Sequence, residues 1–198
     1  MEAFRADPKA FARRRGLKGK DATLLATMPV KGAAYFASRR VIDRHHYLRG
    51  DVPITIAAFD ALPEAQRLQA TYFVDAPYAK EDPRAEVRQF IAWAKKAGRK
   101  GDIPAAVADL AVVEGHGMLL ADQPATRPYR HKVLRLRHDA EALLTEVAAA
   151  PQKPTIVALV REEDDVEMRV LSKEEAAALV ARKKNGPAVA HLRKLGLL

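Results

Sequence analysis

The chain has 198 residues, 48% of them hydrophobic and 30% charged, with no cysteine and a formal net charge of +9. That length makes one medium domain or two small ones, and the lack of thiols excludes disulfide frameworks, thiolate zinc sites, iron–sulfur clusters and cysteine nucleophiles. No apolar run reaches the ~20 residues that span a bilayer. The opening Met-Glu-Ala-Phe-Arg-Ala-Asp-Pro carries acids where a secretory signal carries an apolar core, so a soluble cytoplasmic protein is expected. Charge is uneven: residues 1–50 hold twelve Lys and Arg against four acids, residues 51–126 eight against eleven, and residues 127–198 fourteen against ten. A basic pole suits nucleic acid, an acidic peptide or an acidic protein, and composition does not choose among them.

The first two thirds read as helical. Lys9–Arg15 is a short basic turn closed by Gly16, and Asp21 stands as N-cap before Ala22–Met28, which Pro29 ends. Residues 31–49 form the longest expected helix, with Tyr35, Phe36, Val41, Ile42 and Leu48 apolar and Gly50 as its stop. Pro53 forces Val52 out of the helical region before a short helix that ends near Pro63. Pro63 opens a helix over 63–74. Asp82-Pro83 starts another over 83–97, with Val87, Phe90, Ile91 and Trp93 inward and Gly98 as stop. Asp102 and Pro104 open a further helix carrying Leu110 and Glu114, which Gly115 and Gly117 interrupt.

The pattern changes near residue 124. Residues 123–128 are a turn-rich linker, and Tyr129–Arg137 alternates as a half-exposed strand. Asp139 caps a helix over 140–149. Thr155–Arg161 and Val166–Leu171 are strands joined by the acidic hairpin loop Glu162–Asp165. Ser172 with Glu175 is a capping box opening a helix over 173–184, Asn185-Gly186-Pro187 stops it, and a short amphipathic helix follows. The expected fold class is α+β: a helical domain over 1–126, then a small βαββαα domain over 127–198 with one mostly antiparallel sheet.

Catalytic signatures are missing. His45 and His46 are adjacent and point to different helix faces; His116, His131, His138 and His191 are scattered, with no His-x-x-x-His or His-Glu-x-x-His pattern. No metal site is expected in this chain. Ser38 and Ser172 lie outside any Gly-x-Ser-x-Gly elbow. Gly16-Leu-Lys-Gly-Lys has the composition of a phosphate loop without its spacing. The basic clusters Arg13–Arg15, Lys18/Lys20, Arg39/Arg40 and Lys183-Lys184 with Arg193-Lys194 suit phosphate contacts, but Tyr129 between Arg127 and Arg130 is the one interleaved aromatic.

A small sheet has an open edge, and an open edge accepts an extended peptide as an added strand. The candidate pairing residues are Thr155, Ile156, Val157, Ala158, Leu159, Val160 and Arg161 on one strand and Val166, Met168 and Val170 on the next. Arg130, Lys132, Arg135 and Arg137 would favour an acidic peptide or partner.

Three stretches carry a resemblance. Tyr35–Phe59 combines an arginine-rich helix with Asp51-Val-Pro-Ile-Thr-Ile-Ala-Ala-Phe59. Phe90-Ile-Ala-Trp-Ala is followed by Asp109-Leu-Ala-Val-Val-Glu114. The end runs from Val133 through Thr155–Leu171 to His191-Leu-Arg-Lys-Leu-Gly-Leu-Leu. From about residue 30 onward the chain resembles the smaller, C-type partner subunits of multinuclear non-haem iron-dependent oxidases that modify ribosomal peptides, as in methanobactin biosynthesis. The resemblance implies a non-catalytic subunit with no cofactor of its own, the iron being carried by a larger oxidase subunit in a heterodimer. This chain would hold the leader of the precursor peptide while a peptide cysteine becomes an oxazolone–thioamide group. The alternative is a nucleic-acid-binding protein using the basic N-terminal pole.

Overall fold

The structure is a computed structural model. It describes residues 6–14, 18–27, 29–76, 82–123, 131–162, 165–181, 185–195 and 197. It is mixed helix and sheet, with most helices preceding the sheet, so the fold class is α+β. The chain forms two compact units, residues 1–46 and 47–198.

In the first unit α1 (Pro8–Arg14) packs on α2 (Gly19–Thr27). Asp7 opens α1, its carboxylate accepting the Ala10 N–H at 2.9 Å. The expected basic turn is therefore a capped helix, while Arg15 and Gly16 lie outside the described residues. Helix α2 begins before Asp21, which lies inside it rather than at its cap. Helix α3 (Val30–Asp51) follows, and Arg39 pairs with Asp43 one turn on at 3.1 Å.

Gly50 does not stop α3. The helix runs to Asp51, and the Val52 N–H still bonds to the Leu48 carbonyl at 2.8 Å. Pro53 is the breaker: Val52, the residue before it, sits at φ −138° and ψ 59°. Next come α4 (Pro53–Asp60), α5 (Ala65–Asp75), α6 (Pro83–Lys100) and α7 (Ala105–Ala121). Pro63 stays in the turn before α5, whose N-cap is Glu64. Asp82 caps α6 as expected, accepting the Arg84 N–H at 3.0 Å.

The glycines inside α6 and α7 are contact points. A Cβ on Gly98 would lie 2.5 Å from Ala108 Cβ, and one on Gly115 would lie 2.7 Å from two Ile91 carbons. These positions let the antiparallel α6–α7 pair approach closely. Helix α6 ends instead at Gly101, whose φ of +80° only glycine adopts without strain. Phe59, Tyr72, Phe90 and Trp93 pack edge-on and stacked between α4, α5 and α6, with ring centroids 5.3–6.3 Å apart.

The sheet has order β1-β2-β3: His131–Leu136, Thr155–Glu162 and Asp165–Leu171, all antiparallel and in unbroken register. Helix α8 (Ala140–Thr145) and a 3₁₀ turn at Val147–Ala149 connect β1 to β2. The expected helix over 140–149 thus stops at Glu146. Helices α9 (Lys173–Val180) and α10 (Pro187–Lys194) close the chain, and the Ser172–Glu175 capping box is formed.

Alternation along β2 sends its side chains into two cores. Val157 and Leu159 join Leu134 and Leu136 against the helical layer of α7, whereas Ala158 and Val160 face α9 and α10 with Leu179, Val189 and Leu192. The sheet is the middle layer of three. Leu134, Leu136, Leu143, Val157 and Leu159 consequently share a core with the helices before them, and the expected boundary at 126/127 falls at residues outside those described.

Candidate functional site

Of the two strands expected to offer an edge, β2 is the central one and β3 an outer one. β2 pairs with β1 from Thr155 to Val160 and with β3 from Ile156 to Glu162. From Ile156 to Val160 the backbone is paired on both sides, so Ile156, Val157, Ala158, Leu159 and Val160 cannot receive an added strand, while Thr155 pairs only with β1 and Arg161 only with β3. Thr155, Val157, Ala158, Leu159 and Val160 are also buried, and Arg161 donates to the Gln123 carbonyl. Their β-branched, apolar character reflects a sheet covered on both faces.

The outer edges belong to β1 and β3. Among the described residues no backbone hydrogen bond reaches either outer edge. On β3, Val166 and Met168 pack partly against the core, while Val170, opposite buried Val157, is 54% exposed. Asp165, Glu167 and Arg169 supply its charges, and the Arg169 guanidinium is paired with Glu162 and Glu167.

β1 is the basic edge. Lys132 and Arg135 are exposed and, being three residues apart, lie on opposite faces of the sheet. Arg137 follows at the strand exit. Arg130 lies outside the described residues. The basic residues read from the sequence therefore gather on the edge opposite β3, not beside Val166, Met168 and Val170.

Helix α7 supplies two carboxylates that lock the frame around this edge. Asp109, nearly buried, accepts the Arg137 N–H at 2.7 Å and contacts His138 Nδ1 at 2.9 Å through Oδ2, with the Arg137 guanidinium 3.8 Å from Oδ1. This pins the exit of β1. Glu114 accepts the Ile54 N–H at 2.9 Å and the Thr55 N–H at 2.7 Å, closing the N-terminus of α4, where Val52 provides no side-chain cap. Pro53 has no N–H to satisfy, so the carboxylate takes the two remaining first-turn donors. The residues carrying the resemblance, Pro53, Thr55, Phe59, Phe90, Trp93, Asp109 and Glu114, are thus structural ties within one unit.

Two histidines lie near the basic edge. Burial, then the charges of Lys132 and Lys95, lowers His116 to about 4, and burial lowers His131 below its ordinary value. Both are neutral at pH 7. Sequence reading missed Lys95 and His116 as part of this surface. The usable signal was phase: Lys95 lies four residues after Ile91 and three before Gly98, both of which touch α7.

Among the described residues no three His, Asp or Glu side chains gather as a metal-ion site, and no helix is long and apolar enough to cross a membrane. No family model matches the chain, and no curated protein matches it.

Proposed function

We propose that the chain is a non-catalytic, cytoplasmic partner subunit that holds the leader of a ribosomally made precursor peptide by adding it as a strand to the small sheet. A larger iron-containing oxidase subunit binds this chain as a heterodimer and oxidises a cysteine of the peptide to an oxazolone–thioamide group, as in the making of a methanobactin-type copper chelator. The observation that carries the reading is the three-stranded sheet, pinned against α7 on one face and covered by α9 and α10 on the other, with outer edges that no described backbone group pairs. A buried sheet face fixes register and a free edge supplies unpaired N–H and C=O groups, which together suit main-chain recognition of an extended segment. The resemblance from residue 30 onward supplies the identity of the partner and the chemistry.

Co-expression with an iron-dependent oxidase and a short cysteine-containing peptide encoded beside it tests this. The expected result is a heterodimer that retains iron and the precursor peptide, with both lost when this chain is purified alone. A chain that ignores the oxidase and elutes with nucleic acid would overturn it and make the basic N-terminal pole the functional surface.

A further inference from the structure

The two outer edges of the sheet differ in charge. β3 offers Asp165 and Glu167, and its Arg169 is already paired with acids. β1 offers His131, Lys132 and Arg135 and no acid. The register puts Lys132 on the sheet face that carries Leu134 and Leu136, which is the face α7 covers. There its charge and that of Lys95 on α6 both act on His116 of α7. Arg137 extends the same side, its guanidinium 3.6 Å from where a Cβ on Gly98 of α6 would stand. Arg137 is already partnered there: Asp109 Oδ1 lies 3.8 Å from its guanidinium, while Asp109 Oδ2 takes the Arg137 N–H and contacts His138 Nδ1. Among the described residues neither Lys95 nor Lys132 has an ion-pair partner.

We propose that β1, not β3, is the edge that takes the peptide, and that Lys95, His116 and Lys132 form a corner that reads an acidic side chain on it. The ligand is then an extended acidic peptide. This rests on the strand-addition reading above and names its edge and chemistry. A strand added beside β1 lies about 4.8 Å away, with alternate side chains on each face. Acids on the α7 face meet Lys132, Lys95 and the neutral imidazole of His116, which donates one N–H to a carboxylate. Acids on the other face meet Arg135. A basic peptide would be repelled from this edge.

Three labelled probes separate the two layers of the claim: a short peptide alternating Glu and Val, its Gln-for-Glu counterpart, and a Glu–Val peptide N-methylated at alternate amides. Fluorescence anisotropy reads binding to the full chain at low salt. The expected result is that the Glu probe binds about tenfold more tightly than the Gln probe, as a few partly exposed ion pairs allow. N-methylation should abolish binding, because it removes the donors of strand addition. In the double variant Lys95→Gln/Lys132→Gln the Glu probe should fall to the level of the Gln probe, which itself stays unchanged. Both lysines are exposed, and an unchanged circular dichroism spectrum confirms folding. Equal affinity for the Glu and Gln probes, with N-methylation still abolishing both, would overturn the acidic corner and leave edge binding standing. Undiminished binding of the N-methylated probe would overturn strand addition itself, and so would no binding of any probe.

Discussion

Replacing Glu114 with Gln tests whether one carboxylate ties α7 to α4. The glutamate accepts two backbone N–H groups, one on each oxygen, at 2.9 and 2.7 Å. A glutamine keeps one acceptor and turns an NH₂ donor toward the second N–H. The substitution loses one hydrogen bond to a charged group, about 1.5–3 kcal/mol, and the favourable placement of a negative charge at a helix N-terminus, about 0.3–1 kcal/mol. Partial exposure of Ile54 lets water recover some of this. The expected destabilisation is about 2–3 kcal/mol, equivalent to a fall in Tm of about 5–10 °C for a chain this size. Urea unfolding should show a lower midpoint at unchanged m-value, which separates a change in stability from a change in compactness. A variant within about 0.5 kcal/mol of the natural chain, the range of ordinary surface changes, would refute the capping role.

The remaining predictions follow from single contacts. Gly98→Ala should destabilise by about 1–3 kcal/mol through overpacking against Ala108, outweighing alanine's helix preference. Gly50→Ala meets nothing within 4 Å and should stabilise by about 0.5–1 kcal/mol, read by chemical denaturation of both variants. His116 is lowered to about 4, mainly by burial and then by the charges of Lys132 and Lys95. The unfolded chain therefore binds the proton more readily, and the contribution of His116 to stability is complete above about pH 6.5 and lost as pH falls towards 4. The full shift discounts to about 1–2 kcal/mol for a partly exposed ring, and His116→Asn should flatten that part of the pH–stability profile relative to the natural chain. Ser172→Ala should cost about 1 kcal/mol by removing the capping box, measured by thermal unfolding.

Local chemistry was legible where the deciding groups are close in sequence. Asp82-Pro83, Asp139 and the Ser172–Glu175 box all act where the sequence placed them. Glycine was misread in three places for one reason: a helix tolerates it, and Gly98 and Gly115 are set by the partner helix rather than by their own backbone. Pro53, which removes a donor and restricts Val52, ended α3 where Gly50 did not. The α+β class and all three strands were legible, β1 from alternation and β2 from its β-branched, apolar run. Strand order was not: Thr155–Arg161 and Val166–Leu171 both read as paired strands, and only the return of β1 to the other side of β2 makes β2 central. That pairing crosses a long connection, so no local signal records it. The corner of Lys95, His116 and Lys132 draws on three elements and was invisible for the same reason.

The central claim is that an open edge of this sheet holds the peptide. Amide hydrogen exchange, compared for the chain with the proposed oxidase partner in the absence and presence of the proposed precursor leader, tests it most directly. The account predicts new protection at residues 131–136, with the amides of Ile156–Val160, already paired on both sides, unchanged. Protection confined to the helices of residues 47–123, or none anywhere in the sheet, would contradict it.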